Sequence, residues 1–406
     1  MAFCPRSLPE VGADVLSRFI KSWGRPVAVA ELPKGADGER FAEHLTRVYA
    51  AATQTWFDDN FAHDRYGAES DAALAARTQA FCAATFAGLL ESPARAAHLY
   101  EVLDDDQSRA CLIDLIAYRL LGYRHVRLKR NNAEFHAHCA RARSMGEAGA
   151  GLAGGYGDAR RYHLQGESGQ QIVLDGWWFN VAWSFLIRQY WLTRGDATLV
   201  AAQPGDCVID AGACFGDTTL AFADAVGAGG QVHAFEVVPD NLAVARHNLS
   251  LNPRFAATVR CHAQALGAGC GRLYLHGSGP GAVVNAQSGG QPVDVISIDE
   301  YVAREALTQV DFIKMDIEGS ESQALDGAIQ TLRRFRPKLA ISLYHRPEDL
   351  TRIPLWVDNL GLGAQLRHPQ HCPGRGVCVG AVQLVRNLDG AEIFVSVKLR
   401  PVERRP

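Results

Sequence analysis

Apolar residues along this chain fall into two regimes. Up to about residue 145 their spacing is helical. Ala72 to Leu90 is alanine-rich, and Asp106-Gln107-Ser108 leads into Leu112, Ile113, Leu115, Ile116, Tyr118, Leu120 and Leu121. That crowding predicts a helix buried on most of its surface. Val27 to Gly35 reads as a strand and turn without a ligand pattern. Residues 146–158 hold too much glycine for a helix and read as a linker. Ile172-Val173-Leu174 and a turn at Gly176 then precede an aromatic helix from Trp177 to Leu192, whose tryptophans are expected in the core.

From Gly205 onward, short apolar runs alternate with helical periods. Strands are expected at Val208-Ile209, Gln231–Phe235, Thr258–His262, Val293–Ile298, Asp311–Met315 and Pro337–Tyr344. Gly271 to Gly277 reads as a hairpin, and Ser278 to Pro292 as a glycine-rich excursion. Helices are expected from Thr218 to Val226, after Pro239-Asp240-Asn241, from Asp299, and through Leu325, Ala328, Ile329 and Leu332. Apolar runs of this kind suit strands covered on both faces of a parallel sheet. The expected fold is α/β, a Rossmann-like, doubly wound, mostly parallel sheet with an N-terminal mainly helical domain. The division is 1–145 helical, 146–160 linker, and 161–406 ligand-binding domain with an unusual segment at 369–406.

Composition narrows the partners. The net charge of −3 recruits neither nucleic acid nor an anionic membrane surface by bulk electrostatics. No run approaches a membrane span, and residues 1–12 lack a signal peptide's apolar stretch. The ten cysteines contain no C-x-x-C pair, as in a reduced protein, so a cytoplasmic location is expected. His136-Ala137-His138-Cys139 would diverge on a helix and reads as a solvated face, not a metal site.

The chemistry gathers at Val208-Ile-Asp210-Ala-Gly212-Ala-Cys214-Phe-Gly216-Asp-Thr218-Thr219, a strand, a glycine turn and a helix start. Glu236 ends the next strand about twenty residues on, the spacing that sets a carboxylate on ribose hydroxyls. A dinucleotide fingerprint reads G-x-G-x-x-G. Here Asp210 stands before the first glycine, an anion that repels phosphate and attracts a sulfonium or ammonium group. S-adenosylmethionine carries both. Gln264 is placed to border its adenine, and Cys214, Gly216, Thr218, Val237 and Asn241 complete the expected cofactor set. Asp316, Glu318, Glu321 and His345 leave two successive strands on the same rim. His345 is the candidate general base, and Asp316 the acceptor ligand or alternative base. Glu318 and Glu321 are candidate acceptor-binding acids, although acids so placed are more often helix-start residues complementing the dipole. Asp316, Glu318 and His345 also suit a divalent cation, although no metal is expected.

These stretches, with Pro239-Asp-Asn-Leu, Asn248, Leu251-Asn-Pro, Ala324-Leu-Asp-Gly-Ala and Pro337-Lys-Leu-Ala-Ile-Ser-Leu-Tyr-His345, resemble the FkbM family of S-adenosylmethionine-dependent methyltransferases. Ser108-Arg109, Tyr118-Arg119-Leu-Leu-Gly122 and Gln189-Tyr190 resemble its longer bacterial members, which carry an N-terminal helical extension. The resemblance implies O-methylation of a hydroxyl on a sugar, glycan or polyketide-type product, with cofactor roles for Asp210, Gly212 and Glu236. It lapses after Leu366-Arg367-His368, where Pro369-Gln-His-Cys-Pro-Gly-Arg-Gly376 replaces the expected final turn; Ala391 to Leu399 is the candidate replacement strand. Two other classes stay open from the residues alone. One is an NAD(P)-dependent oxidoreductase, and the other a binding protein of the same fold that has lost activity.

Overall fold

The computed structural model describes residues 93–103, 106–121, 125–129, 131–149, 152, 158–194 and 197–362, short stretches between 41 and 55, and the strands at 380–387 and 390–398. The expected strand at 27–35, the helix at 72–90, most of the glycine-rich run and the turn at 369–376 lie outside these residues.

Among the described residues, α1 (Pro93–Val102), α2 (Asp106–Leu121) and α3 (Ala133–Met145) precede the strands. Asn132 caps α3 by accepting the Phe135 N–H at 2.9 Å. The crowded stretch of α2 is buried from Leu112 to Arg119, apart from a half-buried Asp114. A hairpin follows, β1 (Arg160–Gln165) against β2 (Gln171–Gly176). The expected aromatic helix is not a single element. A four-residue α4 (Trp178–Val181) widens into a π-helix at Ala182–Ile187, which Arg188 ends in the left-handed region (φ 54°). A short ribbon, β3 (Leu192–Arg194) and β4 (Ala197–Val200), comes next.

The strand-and-helix alternation then runs as expected, with sharper bounds. β5 (Cys207–Ala211), α5 (Asp217–Val226), β6 (Gln231–Phe235), α6 (Pro239–Ser250) and β7 (Val259–His262) form one half. β8 (Ala265–Leu266), β9 (Gly271–His276), β10 (Val283–Asn285) and β11 (Gln291–Ile296) form a separate sheet of order β10-β9-β11-β8. Gly271–Gly277 is therefore one arm of a wider hairpin, whose return strand lies inside the glycine-rich excursion. α7 (Ile298–Arg304) is capped by Ser297, one turn position before the expected start.

β12 (Phe312–Met315) leads to α8 (Glu321–Asp326) and α9 (Ile329–Phe335), then β13 (Lys338–Ser342) and α10 (Asp349–Asn359). The single helix expected through Leu325 and Leu332 is broken at Gly327. A β-carbon there would lie 2.1 Å from the Gly267 carbonyl oxygen, so the chain closes against the small sheet and restarts. Asp299 recaps the restart by accepting the Gln330 and Thr331 N–H groups.

The principal sheet has the order β14-β15-β13-β12-β5-β6-β7, with β14 (Gly380–Asn387) and β15 (Gly390–Lys398) at one edge. β7 to β13 are mutually parallel, and β15 runs antiparallel to β13. The replacement strand expected near 391–399 thus closes the sheet. Alternation along the strands feeds two cores. Ile209, Ile313, Leu339 and Ile341 join α1, α2 and α7–α10 on one face. Val208, Val232, Phe312 and Ala340 join α3, the hairpin and α5 on the other. Both faces are covered, as a parallel sheet requires. Among the described residues no helix is long and apolar enough to cross a membrane.

Two contacts tie remote segments to the sheet. Buried Arg119 of α2 donates to the Leu343 and Pro347 carbonyls at 2.8 and 2.9 Å, bracketing the loop after β13. On β6, His233 Nδ1 lies 2.6 Å from the Tyr301 hydroxyl, which also reaches His262 Nε2 at 2.7 Å.

Two predictions follow from this packing. Gly327→Ala should cost about 1–3 kcal/mol in urea unfolding, whereas Gly229→Ala, with open space at its β-carbon, should stay within roughly 0.5 kcal/mol. Burial, helped by His262 and Arg260, pushes the His233 imidazole down to about 4. The unfolded chain therefore binds a proton near pH 6.5 that the folded chain refuses. Stability should be complete above that pH and fall on the order of 1–3 kcal/mol as pH drops towards 4. In a His233→Gln variant that part of the slope should vanish.

Candidate functional site

The chain leaves β5 for β6 and β7 on one side and returns to β12 on the other. The crevice beyond the carboxyl ends of β5 and β12 is thus a topological switch point, where ligands bind in open α/β sheets. A cavity of about 220 Å³ lies there. Its floor is the β5 turn, its far end β6 and β8, and one wall the α4–π-helix segment. Residues of the β9–β10 hairpin, Pro280, Ala282 and Val284, roof it.

The β5 turn is shaped by its own protein. Gly212 has φ 83°, and a β-carbon on it would lie 1.8 Å from the Asp316 carbonyl oxygen. Gly216 has φ 77° and packs 3.2 Å from Ala245 by the same measure. Both glycines were expected to admit a ligand; here they admit β12 and α6. Cys214 between them is left-handed despite its side chain (φ 48°), as is Glu318 after β12 (φ 53°). Both line the cavity.

Asp210 does not reach the cavity. It is fully buried; its Oδ2 accepts the Thr218 and Thr219 hydroxyls at 2.8 and 2.7 Å, and its Oδ1 lies 3.2 Å from Lys314 Nζ. Lys314 is the cross-strand partner of Asp210 in the β5–β12 register. Its Nζ also donates to the Ala211 and Gly212 carbonyls. Burial pulls the Lys314 ammonium down, but Asp210 and Asp316 outweigh it and hold it above its ordinary range. The charge expected to face a ligand is therefore neutralised inside the sheet.

Two other carboxylates do face the cavity. Glu236 accepts the Cys214 N–H at 2.8 Å and the Val238 N–H at 2.7 Å, one on each oxygen. Burial raises its carboxyl against those two hydrogen bonds. Each oxygen keeps a lone pair for a hydroxyl. Asp217, at the start of α5, accepts the Ser184 hydroxyl of the π-helix at 2.5 Å and the Asn180 amide of α4 at 3.3 Å. Burial pushes its carboxyl up to about 6, against the Ser184 bond and Lys314. Sequence reasoning missed Asp217 and Lys314. Asp217 stood within the quoted motif, and Lys314 was a cation inside a buried strand, a signal in itself.

Of the remaining cofactor candidates, Thr218, Val237, Asn241 and Gln264 line the cavity with Gly212, Cys214 and Glu236. The Asn241 side chain is buried, and its Oδ1 has no hydrogen-bond partner. Such an orphan acceptor is expected to be met by something that binds.

At the other end, Asp316 accepts three hydroxyls: Tyr190 on Oδ2 at 2.8 Å, and Ser342 and Tyr344 on Oδ1 at 2.7 and 2.8 Å. Burial pushes its carboxyl up, but the His345 and Lys314 cations and these hydroxyls hold it below the carboxylate range. His345 sits behind it, nearly buried. Its Nε2 is 3.4 Å from Asp316 and 3.6 Å from Glu318, and its Nδ1 is 2.8 Å from Glu321. Burial pulls the imidazole down; Glu318, Glu321 and Asp316 outweigh it and push it up to about 11. A ring protonated at neutral pH cannot take another proton, so a resting general base at His345 does not fit this geometry. Glu321 is fully buried and accepts the Ile317 N–H at 2.9 Å, a turn contact. Glu318 faces the cavity.

Residues 210–362 match the sequence profile of the methyltransferase FkbM domain. No curated protein matches the chain. Among solved structures it is similar to a methyltransferase FkbM from Methylobacillus flagellatus KT, at 18% identity over 77% of this chain and 60% of that one, with a TM-score of 0.46. It thus spans about three fifths of that protein's length. It is also similar to an O-methyltransferase from Bacillus cereus in complex with SAH, at 13% identity over 48% and 74% of the two chains (TM-score 0.30). A third likeness is to fibrillarin from Aeropyrum pernix with bound S-adenosyl-L-methionine, at 10% identity over 58% and 93% (TM-score 0.31). Over residues 210–362, then, the chain is similar to the methyltransferase FkbM domain.

Proposed function

We propose that the chain is an S-adenosylmethionine-dependent O-methyltransferase acting on a hydroxyl of a sugar, glycan or polyketide-type acceptor. The observation that carries this reading is the pairing of Glu236 with the β5 turn across one cavity, in a domain of a methyltransferase family. Glu236 has the free lone pairs to hold two ribose hydroxyls. Val237 and Gln264 border the space beyond it, suited to an adenine. The orphan Asn241 Oδ1 offers an acceptor to a donor group of the cofactor. Asp217 supplies the anion that a sulfonium or ammonium group needs, the part first read into Asp210.

Bound S-adenosylmethionine supplies an electrophilic methyl carbon. The protein's task is then to hold an acceptor oxygen in line with it, and such positioning is worth about 7–11 kcal/mol. Tyr190 and Tyr344 hang from Asp316 at the cavity edge and fix that end of the site. Glu318 is a cavity-facing carboxylate near Asp316, with no hydroxyl donor on it among the described residues. It is placed to accept the acceptor's hydrogen bond.

Calorimetric titration with S-adenosylmethionine and S-adenosylhomocysteine tests the cofactor. Glu236→Ala should weaken both at least tenfold; unchanged affinity would overturn the ribose assignment. Affinity of the parent protein should fall as pH drops from 7 through about 6, because protonation removes the Asp217 anion. Asp217→Asn should bind more weakly at pH 7 and lose that pH dependence. Methyl transfer to hydroxyl-bearing sugars and polyketides, read by S-adenosylhomocysteine release, tests the acceptor class. Methylation confined to amines or carbon would refute it.

A further inference from the structure

His345 poses a problem that the cofactor does not resolve. Three carboxylates crowd one buried ring, and the ligand atoms of Asp316, Glu321 and His345 lie within 4.8 Å of one another. Neither ring nitrogen makes a hydrogen bond of acceptable geometry, and Glu321 Oε2 is buried without a partner. Asp210 is matched by Lys314, so it contributes nothing to this excess. We propose that Asp316, Glu318 and His345 form a binding site for a divalent cation, with Glu321 fixing the imidazole from behind.

The two sides of the ring differ in the way a metal site requires. Nδ1 lies 2.8 Å from Glu321 Oε1, whose own position is set by the Ile317 N–H. Glu321 stands where a carboxylate takes the second ring N–H of a metal-bound histidine, which would fix the tautomer and the ring plane. Nε2 faces Asp316 Oδ1 at 3.4 Å and Glu318 Oε2 at 3.6 Å. These are long for hydrogen bonds. They are close to the spacing of neighbouring ligands around one ion, ~3 Å for bonds of 2.0–2.1 Å and ~3.4 Å for longer ones. A small inward movement of Glu318, a third exposed, closes the difference.

One imidazole and two carboxylates suit Mn²⁺, Fe²⁺ or Zn²⁺ better than Ca²⁺, which takes oxygen alone. Asp316 and Glu318 both line the cavity, so the open coordination positions point into it. Asp316 Oδ1 already accepts two hydroxyls. The cation therefore takes the place of the Tyr344 hydrogen bond and frees that phenol at the cavity edge. If the methyl-transfer reading holds, an acceptor hydroxyl completes the coordination shell and loses its proton more easily there, a task for which His345 is unsuited.

The test is Mn²⁺ titrated into the full chain without cofactor, followed by calorimetry and by the loss of its free electron paramagnetic resonance signal. One ion should bind with sub-millimolar affinity. Glu318→Gln should weaken binding at least tenfold, Glu321→Gln about 10–100-fold, and His345→Ala should abolish it. Thermal unfolding and S-adenosylmethionine titration report whether each variant is folded. Should His345→Ala fail to fold, the rim variant Glu318→Gln decides. Absence of bound Mn²⁺, or binding indifferent to Glu318→Gln, overturns the proposal. Metal binding without cofactor binding would leave this site standing and remove the methyl-transfer reading, so the two fail separately.

Discussion

The architecture of the site depends on one buried ion pair. Asp210 and Lys314 are register partners at the centre of the parallel sheet, both excluded from water. An unpaired charge there would cost several kcal/mol, and the pair is tolerable only because further hydrogen bonds satisfy it. Thr218 and Thr219 meet the carboxylate; the Ala211 and Gly212 carbonyls meet the ammonium. Those contacts fix the start of α5 and the end of β5 together. The turn between them carries Cys214 and Asp217, and Glu236 is hung from it through the Cys214 N–H. Geometry at the Glu236 end of the cavity is thus set by charges buried within the sheet.

The same cation links the two ends of the cavity. Lys314 lies between Asp210 and Asp316, and its ammonium sits 5.1 Å from the centre of the Tyr190 ring. Tyr190 in turn donates to Asp316. The rim of β12 and the floor of β5 are therefore one electrostatic unit. Beyond Asp316 the balance tips towards negative charge, and His345 is the group caught by it. Its three carboxylate neighbours, and not its residue type, push its imidazole up, away from the range of a general base.

Much of this was legible along the chain. Val208-Ile209 and the Asp311–Met315 run announced buried parallel strands, and Asp316 and Glu318 at the end of the second line one cavity with Glu236. Glu236 was found by spacing alone. What escaped had physical reasons. A π-helix has no distinct apolar period, so Trp177–Leu192 read as an ordinary helix, and the reach of Asn180 and Ser184 to Asp217 was invisible. The break at Gly327 depends on a carbonyl sixty residues earlier in the chain. Asp210 was assigned to a ligand because its partner, Lys314, is a hundred residues distant and adjacent only after the sheet forms. Pairings across strands carry no local signature.

Arg119 gives the N-terminal helices a further significance. Its guanidinium, buried between α2 and the sheet, holds the carbonyls on either side of Tyr344 and His345. The segment matched to the methyltransferase family begins ninety-odd residues later, so a strut of the loop after β13 comes from outside it. A fragment trimmed to the matched segment would leave two buried carbonyls without donors and bare the apolar face that α1 and α2 cover. The boundary of the family match is not the boundary of the packing unit, because α1 and α2 share one core with the matched segment.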